Sequence, residues 1–287
     1  MTVTGNPTAP GPRRATATRI LTKVPEITVL FWIIKLITTG MGEAMSDSLG
    51  QQSVPAAAGI GIFGLILALR LQLHQTEYRA PYYWFAVMMV AVFGTMAADG
   101  IHDGAGIGYT ITTPGFALVT AGIFTWWYRS EGTLSIHSID TRRRERFYWA
   151  AVLSTFALGT AAGDLTALQL NLGFWPSVLI FGGIIAIPAI GWWRFSWNPI
   201  FAFWFAYIVT RPVGASFADG FSKPTNGGLN LGDPLVSLIA FGAFAALVAY
   251  AHITKRDVQA QGDVHPHEAL HPHAAHGSPP VLAVEPE

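Results

Sequence analysis

The chain has 287 residues, 51% of them hydrophobic and only 12% charged, about half the charged share of an ordinary soluble domain. Lys plus Arg and Asp plus Glu balance at 17 each, so net charge points neither to nucleic acid nor to an acidic partner. The absence of cysteine excludes disulfides, thiolate metal sites and cysteine nucleophiles, and a mean hydropathy of +0.40 makes the lipid bilayer the first expected partner.

Residues 1–22 are polar, with Pro, Gly and Arg but no apolar run. They read as a disordered tail, not a secretory signal. Eight apolar runs follow, near 27–46, 54–73, 82–100, 111–128, 147–165, 174–194, 199–218 and 234–253, each close to the roughly 20 residues that span a bilayer. They are continuous, not alternating, which predicts helices rather than barrel strands. A second polar tail, 255–287, is rich in His and Pro. The expected fold is an all-α polytopic membrane protein, its membrane domain over 23–254.

Of the 17 Lys and Arg, all but Lys35, Arg211 and Lys223 fall on one side if there are eight spans. The excess of basic residues marks the cytoplasmic side, so both termini are expected in the cytoplasm and the protein in the inner membrane.

The chain repeats itself. The windows WIIKLITTGMGEAMSD, WFAVMMVAVFGTMAAD, WAAVLSTFALGTAAGD and WFAYIVTRPVGASFAD align without gaps from Trp32, Trp84, Trp149 and Trp204. Each has Gly ten residues on (Gly42, Gly94, Gly159, Gly214) and Asp five further (Asp47, Asp99, Asp164, Asp219). An aromatic residue precedes every Trp (Phe31, Tyr83, Tyr148, Phe203), and a second apolar run with an early Pro follows (Pro55, Pro114, Pro176, Pro234). Two helices per copy put all four copies, about 23–73, 80–128, 146–194 and 198–254, in one orientation. Parallel repeats are expected around an axis along the membrane normal.

With these windows, and KVPEITVLFWIIKLITTGMGEAMSD above all, the chain resembles the bacterial integral membrane proteins built from four tandem copies of a repeat of unknown function. Each copy in that family has two transmembrane helices and a characteristic Trp. The resemblance covers about residues 23–254 and implies the fold, but no activity.

Within each window the Trp begins the helix and the Asp lies about 22 Å further along, in the outer part of a core about 30 Å thick. The Trp are expected as interfacial anchors and the Gly as close helix contacts. Each Asp either ends its helix as a cap or faces a polar centre. Lys35, Thr39, Glu43 and Asp47 are four apart and share one helix face; Thr95 and Asp99, Thr160 and Asp164, and Arg211 and Asp219 extend that face to the other copies. Charges inside a span face the bundle interior or water. This predicts a centre in which Glu43, Asp47, Asp99, Asp164 and Asp219 bind a cation or protons. Thr38, Thr39 and Thr210 would add oxygen ligands, and Lys35 and Arg211 would pair with carboxylates.

Two further features are histidines. DGIHDG places Asp99, His102 and Asp103 at a spacing that can hold Mn²⁺ or Zn²⁺ if the helix continues. His265, His267, His271, His273 and His276 form a tail tract of a kind that can collect metal. A P-loop and GxSxG are absent from the sequence, and the one string with the letters HExxH, HEALH at 267–271, lies in the Pro-broken tail, so no enzyme is expected. The leading functional expectation is a secondary transporter or exporter of a small cation, plausibly divalent such as manganese, coupled to protons; no bound cofactor beyond such a cation is expected. A non-transporting scaffold or sensor, or a transporter of a small organic solute, is the alternative.

Overall fold

The computed structural model describes residues 22–258. The histidine tract of the tail, and nearly all of both polar tails, lie outside these residues. The described residues form eight long helices and no strand. They are α1 (Val29–Gln52), α2 (Val54–His74), α3 (Ala80–Asp99), α4 (Tyr109–Glu131), α5 (Arg142–Asp164), α6 (Phe174–Phe195), α7 (Pro199–Ser222) and α8 (Asp233–Thr254). Side chains cap several of them: Thr28 accepts from the Phe31 amide, Ser53 from Ala56, Thr141 from Arg144, and Asn198 from Ile200 and Phe201, each satisfying an N–H that the first turn leaves free. Seven of the eight are long and apolar enough to cross a membrane. The other, α4, is 23 residues long, but Thr110, Thr112, Thr113, Thr120 and Thr125 dilute its apolar character.

The odd helices form the inside. In a closed ring, α1 packs on α3, α3 on α5, α5 on α7 and α7 on α1. Each even helix packs chiefly on the odd helix after it: α2 on α3, α4 on α5, α6 on α7, and α8 back on α1. The packing pair is thus offset by one helix from the sequence repeat, and the α8–α1 contact closes the circle. The outer helices bury one narrow face. In α2 this is Ala57, Gly61, Leu65, Ala68 and Gln72, spaced three and four as a helical stripe requires.

Two layers show why the sequence repeats. The first is the repeated glycine, which meets the next odd helix three residues before that helix's own glycine. Gly42 meets Ala91, Gly94 meets Phe156, Gly159 meets Arg211 and Gly214 meets Thr39. A Cβ at Gly42 would lie 2.5 Å from the Ala91 Cβ, and one at Gly94 would lie 2.8 Å from the Phe156 Cβ, so only glycine admits this approach. The second layer is aromatic. The residue before each Trp faces the Trp of the next copy: Phe31–Trp84, Tyr83–Trp149, Tyr148–Trp204 and Phe203–Trp32, with ring centroids 5.6–6.1 Å apart.

This second layer corrects the expectation of interfacial anchors. Trp84, Trp149 and Trp204 are buried and Trp32 is half-buried. They fill one end of the ring, and Trp204 donates to the Leu134 carbonyl at 2.9 Å. The tryptophans that do reach outward are Trp126, Trp192 and Trp193, on even helices, and Trp197, between α6 and α7. A segment before α1 then crosses the aromatic end: Tyr78 N–H donates to Thr22, Lys23 to Ile139 and Glu26 to Asp257.

Candidate functional site

The ring interior changes character from the aromatic end to the aspartate end. Beyond the Trp layer, Lys35 lies fully buried between the rings of Phe156 and Tyr207, with its ammonium 4.1 and 4.2 Å from their centroids. Its Nζ has no hydrogen-bond partner among the described residues. Lys35 was expected to pair with a carboxylate. It does not, because its side chain meets two aromatic faces, which attract a cation by their quadrupoles, while Arg211 takes Glu43.

Arg211 is the hub of the next layer. From α7 its Nη2 donates to Glu43 Oε2 of α1 at 2.6 Å, to Thr160 Oγ1 of α5 at 2.8 Å and to Thr95 Oγ1 of α3; its Nη1 donates to the Thr39 carbonyl at 2.9 Å. Thr95 in turn donates to Glu43 Oε2 at 3.1 Å. One guanidinium therefore ties together all four inner helices, in a place closed to solvent. Glu43, Thr95 and Thr160 each follow the repeated glycine, so the repeat frame itself pointed to Thr95 and Thr160. Charge alone selected only Glu43. The threonines expected as ligands, Thr38, Thr39 and Thr210, each donate back to a carbonyl of their own helix.

Past the hub the carboxylates converge. Glu43, Asp164 and Asp219 can bring one oxygen each within 4.8 Å of one another; so can Glu43, Asp47 and Asp99, and so can Asp47, Asp219 and Asp233. The four repeated Asp thus meet at one level, with Glu43 below them and Asp233 beside them. None of them ends its helix in a loop. Chain α1 runs on to Gln52 and α7 to Ser222, while α3 and α5 pass directly after Asp99 and Asp164 into wider π-helical turns, Gly100–Gly104 and Leu165–Gln169. Such turns interrupt the α-helical register.

That turn also undoes the predicted Asp99, His102 and Asp103 set. Asp99 joins Glu43 and Asp47. His102 stacks on Tyr109, ring centroids 3.9 Å apart, with Nδ1 3.1 Å from the Ile107 carbonyl and Nε2 4.0 Å from the exposed Asp103 Oδ1, and neither residue joins the group that Asp99 enters. The three-and-four spacing converges only on an α-helix, and here the helix has widened.

Two residues outside the repeat frame complete the site. Lys223, just after α7, places its Nζ 2.5 Å from Asp47 Oδ2 and 3.0 Å from Asp233 Oδ2. Gln51 donates to the same Asp233 oxygen at 2.5 Å. Burial lowers the Lys223 pKa, but the Asp47 and Asp219 carboxylates outweigh it and hold the ammonium well above the usual lysine range. Buried Asp219 Oδ1 and Asp233 Oδ1 have no hydrogen-bond partner among the described residues, an arrangement that leaves acceptor capacity aimed into the group. The site is reached from the Lys223 end: the side chains of Asp47 and Lys223 are 19% and 25% exposed, whereas Phe31, Tyr83 and Trp84 seal the aromatic end. Lys223 appeared in the sequence only as the one basic residue on the far side, and Asp233 not at all.

No curated protein and no solved structure matches the chain. A family model described as Repeat of Unknown Function (DUF347) matches residues 82–133, 147–197 and 202–257, three tandem copies. Residues 23–73 lie outside those matches but supply Trp32, Gly42 and Asp47 to the same layers of the ring. With more than half of its length matched in tandem, the chain belongs to the Repeat of Unknown Function (DUF347) family.

Proposed function

We propose that the protein is a multi-pass transporter of a small cation, exchanging it for protons at the aspartate ring. The observation that carries this reading is the convergence of Glu43, Asp47, Asp99, Asp164 and Asp219 from four separate helices into overlapping groups of three. Like charges so close repel, and the repulsion is relieved by a cation or by protons; a site that accepts either can exchange one for the other. The donors are all carboxylate oxygens. With no Cys in the chain and no His in these groups, they suit a hard divalent ion such as Mn²⁺ or Mg²⁺ over softer metals. Lys223, with its ammonium between Asp47 and Asp233, stands in for such a cation and would leave on loading.

The same reading takes all eight helices as membrane spans in four parallel repeats, both termini cytoplasmic in the inner membrane, and the ring entered from the far side. Basic residues cluster at the aromatic end, as the cytoplasmic side requires. Reconstitution into liposomes tests it: manganese flux should run with a proton gradient and cease in Asp47→Asn and Asp219→Asn. Flux undiminished in both variants contradicts the assignment.

One observation favours a second reading, a scaffold or sensor whose polar centre fixes helix register. The Arg211 hub is fully enclosed and joins the four helices, a structural task. In that reading the aspartate variants lose stability together and no cation stabilises the protein.

A further inference from the structure

A cleft of about 140 Å³ lies between the end of α2 and the start of α5, at the aromatic end, lined by Arg70, Leu73, His74, Arg142 and Arg146. No carboxylate lines it. Arg70 and His74 are four apart on α2, and Arg142 and Arg146 four apart on α5, so each pair shares a face and the two faces meet across the cleft. A buried triad holds the two helices there. Lys23 Nζ lies 2.7 Å from Glu145 Oε2, and Gln72 Nε2 donates to Glu145 Oε1 at 3.1 Å.

This is an unfavourable place to collect positive charge. Like charges at that spacing repel, and Arg142 and Arg146 stand near the N-terminus of α5, the positive end of its macrodipole. Arg143 and Arg144 at this end are matched by Glu131, Arg144 also by Asp140, and Arg79 by Glu77, while Arg129, Arg194 and Arg256 stand singly at the ends of other helices. Among the described residues no acid pairs with Arg70, Arg142 or Arg146. Three guanidinium groups held together without a counter-charge match the oxygens of a phosphate ester, which Arg binds in bidentate fashion.

The source of that phosphate is indicated by the residues behind Arg70. Ile66 and Ile62 continue the Arg70 face of α2 at four-residue steps, and both are about half exposed, at 47% and 49%. An apolar strip leading into a basic pocket fits a lipid, with an acyl chain along the isoleucines and the headgroup phosphate on the arginines. A soluble phosphate gains nothing from the strip. We propose that this cleft binds the phosphate group of an anionic lipid. The proposal is independent of any transport at the aspartate ring.

The test uses the full chain in detergent, titrated with phosphatidylglycerol, with zwitterionic phosphatidylcholine and with inorganic phosphate. Retained lipid is read by native mass spectrometry and stability by the thermal midpoint. Phosphatidylglycerol should be retained and raise the midpoint, and phosphatidylcholine should not. The surface variant Arg70→Gln/Arg146→Gln should weaken phosphatidylglycerol retention about tenfold, while Arg79→Gln, outside the cleft, should not. Equal retention of the zwitterionic lipid, or full retention in the double variant, overturns the site. Stabilisation by inorganic phosphate with the lipid inert overturns the lipid as its ligand.

Discussion

Arg211 of α7 and Glu43 of α1 pair at 2.6 Å with side chains 1% and 4% exposed. Removing one partner of such a pair leaves a buried charge uncompensated, at about 3–5 kcal/mol. Glu43→Gln is therefore expected to lower the thermal midpoint sharply. Arg211→Met with Glu43→Gln should be less damaging than the two losses added. Additive losses in this double-mutant cycle would show that the pair is not coupled. The sequence places Glu43 among five acids expected to bind a cation or protons; its enclosed pair with Arg211 gives it a structural task as well.

The glycine layer predicts a sharp contrast between substitutions. Gly42→Ala drives a methyl to within 3.0 Å of the Ala91 backbone, and overpacking of this kind costs about 1–3 kcal/mol. Gly59→Ala, on the outer α2, meets nothing within 4 Å and should be neutral or slightly stabilising. Thermal midpoints in one detergent compare the two directly. Equal effects would mean that the ring does not close as described.

In the proposed exchange Lys223 would compete with the cation for Asp47 and Asp233. Lys223→Met is expected to tighten cation binding about tenfold, some 1.4 kcal/mol, measured by titrating the thermal midpoint with Mn²⁺. Unchanged or weaker binding would remove Lys223 from the site.

Tyr78 closes the aromatic end by donating its hydroxyl to Asp257. Tyr78→Phe should cost about 1.5–3 kcal/mol, as for a hydrogen bond to a charged group. Burial, and then the Asp257 carboxylate, raise the Tyr78 pKa well above its ordinary value. A phenol with a raised folded pKa favours the fold while protonated. Its contribution is thus complete below the unfolded value of about 10 and fades as pH rises past it. The loss in Tyr78→Phe should be the same at pH 6 and pH 9. A difference between those two pH values would place another titrating group at this contact.

Much of the fold was legible because the ring repeats in sequence what it repeats in space. Trp, Gly and Asp recur at ten and five residues, since every inner helix meets its neighbour in the same way at the same depth. The convergence of Asp47, Asp99, Asp164 and Asp219 followed from helix periodicity and the cost of charge in lipid. What could not be read was the partner of each charge. Nothing in the spacing distinguishes Lys35, lodged between Phe156 and Tyr207, from Arg211 on Glu43, because the choice depends on which neighbouring helix offers an aromatic face. Lys23 looked like one more flanking charge, yet it is buried on Glu145. Asp233 and Lys223 lie outside the repeated windows, so no internal comparison could single them out. The widening of α3 after Asp99 altered the angular step on which the His102 reading depended.

The central claim is that the aspartate ring binds a cation. The most direct measurement is a thermal-shift titration of the full chain with Mn²⁺, Mg²⁺, Zn²⁺ and Na⁺, beside Asp47→Asn, Asp219→Asn and the exposed control Asp103→Asn. The tail histidines are common to all four proteins, so their binding cancels. A ligand of the folded state at 100 times its dissociation constant adds about 2.7 kcal/mol of stability. A hard divalent ion should raise the midpoint of the parent and of Asp103→Asn, less so as pH falls and protons compete for the carboxylates, and should leave both ring variants unmoved. A shift that survives in Asp47→Asn and Asp219→Asn, or no shift with any cation in the parent, would contradict the account.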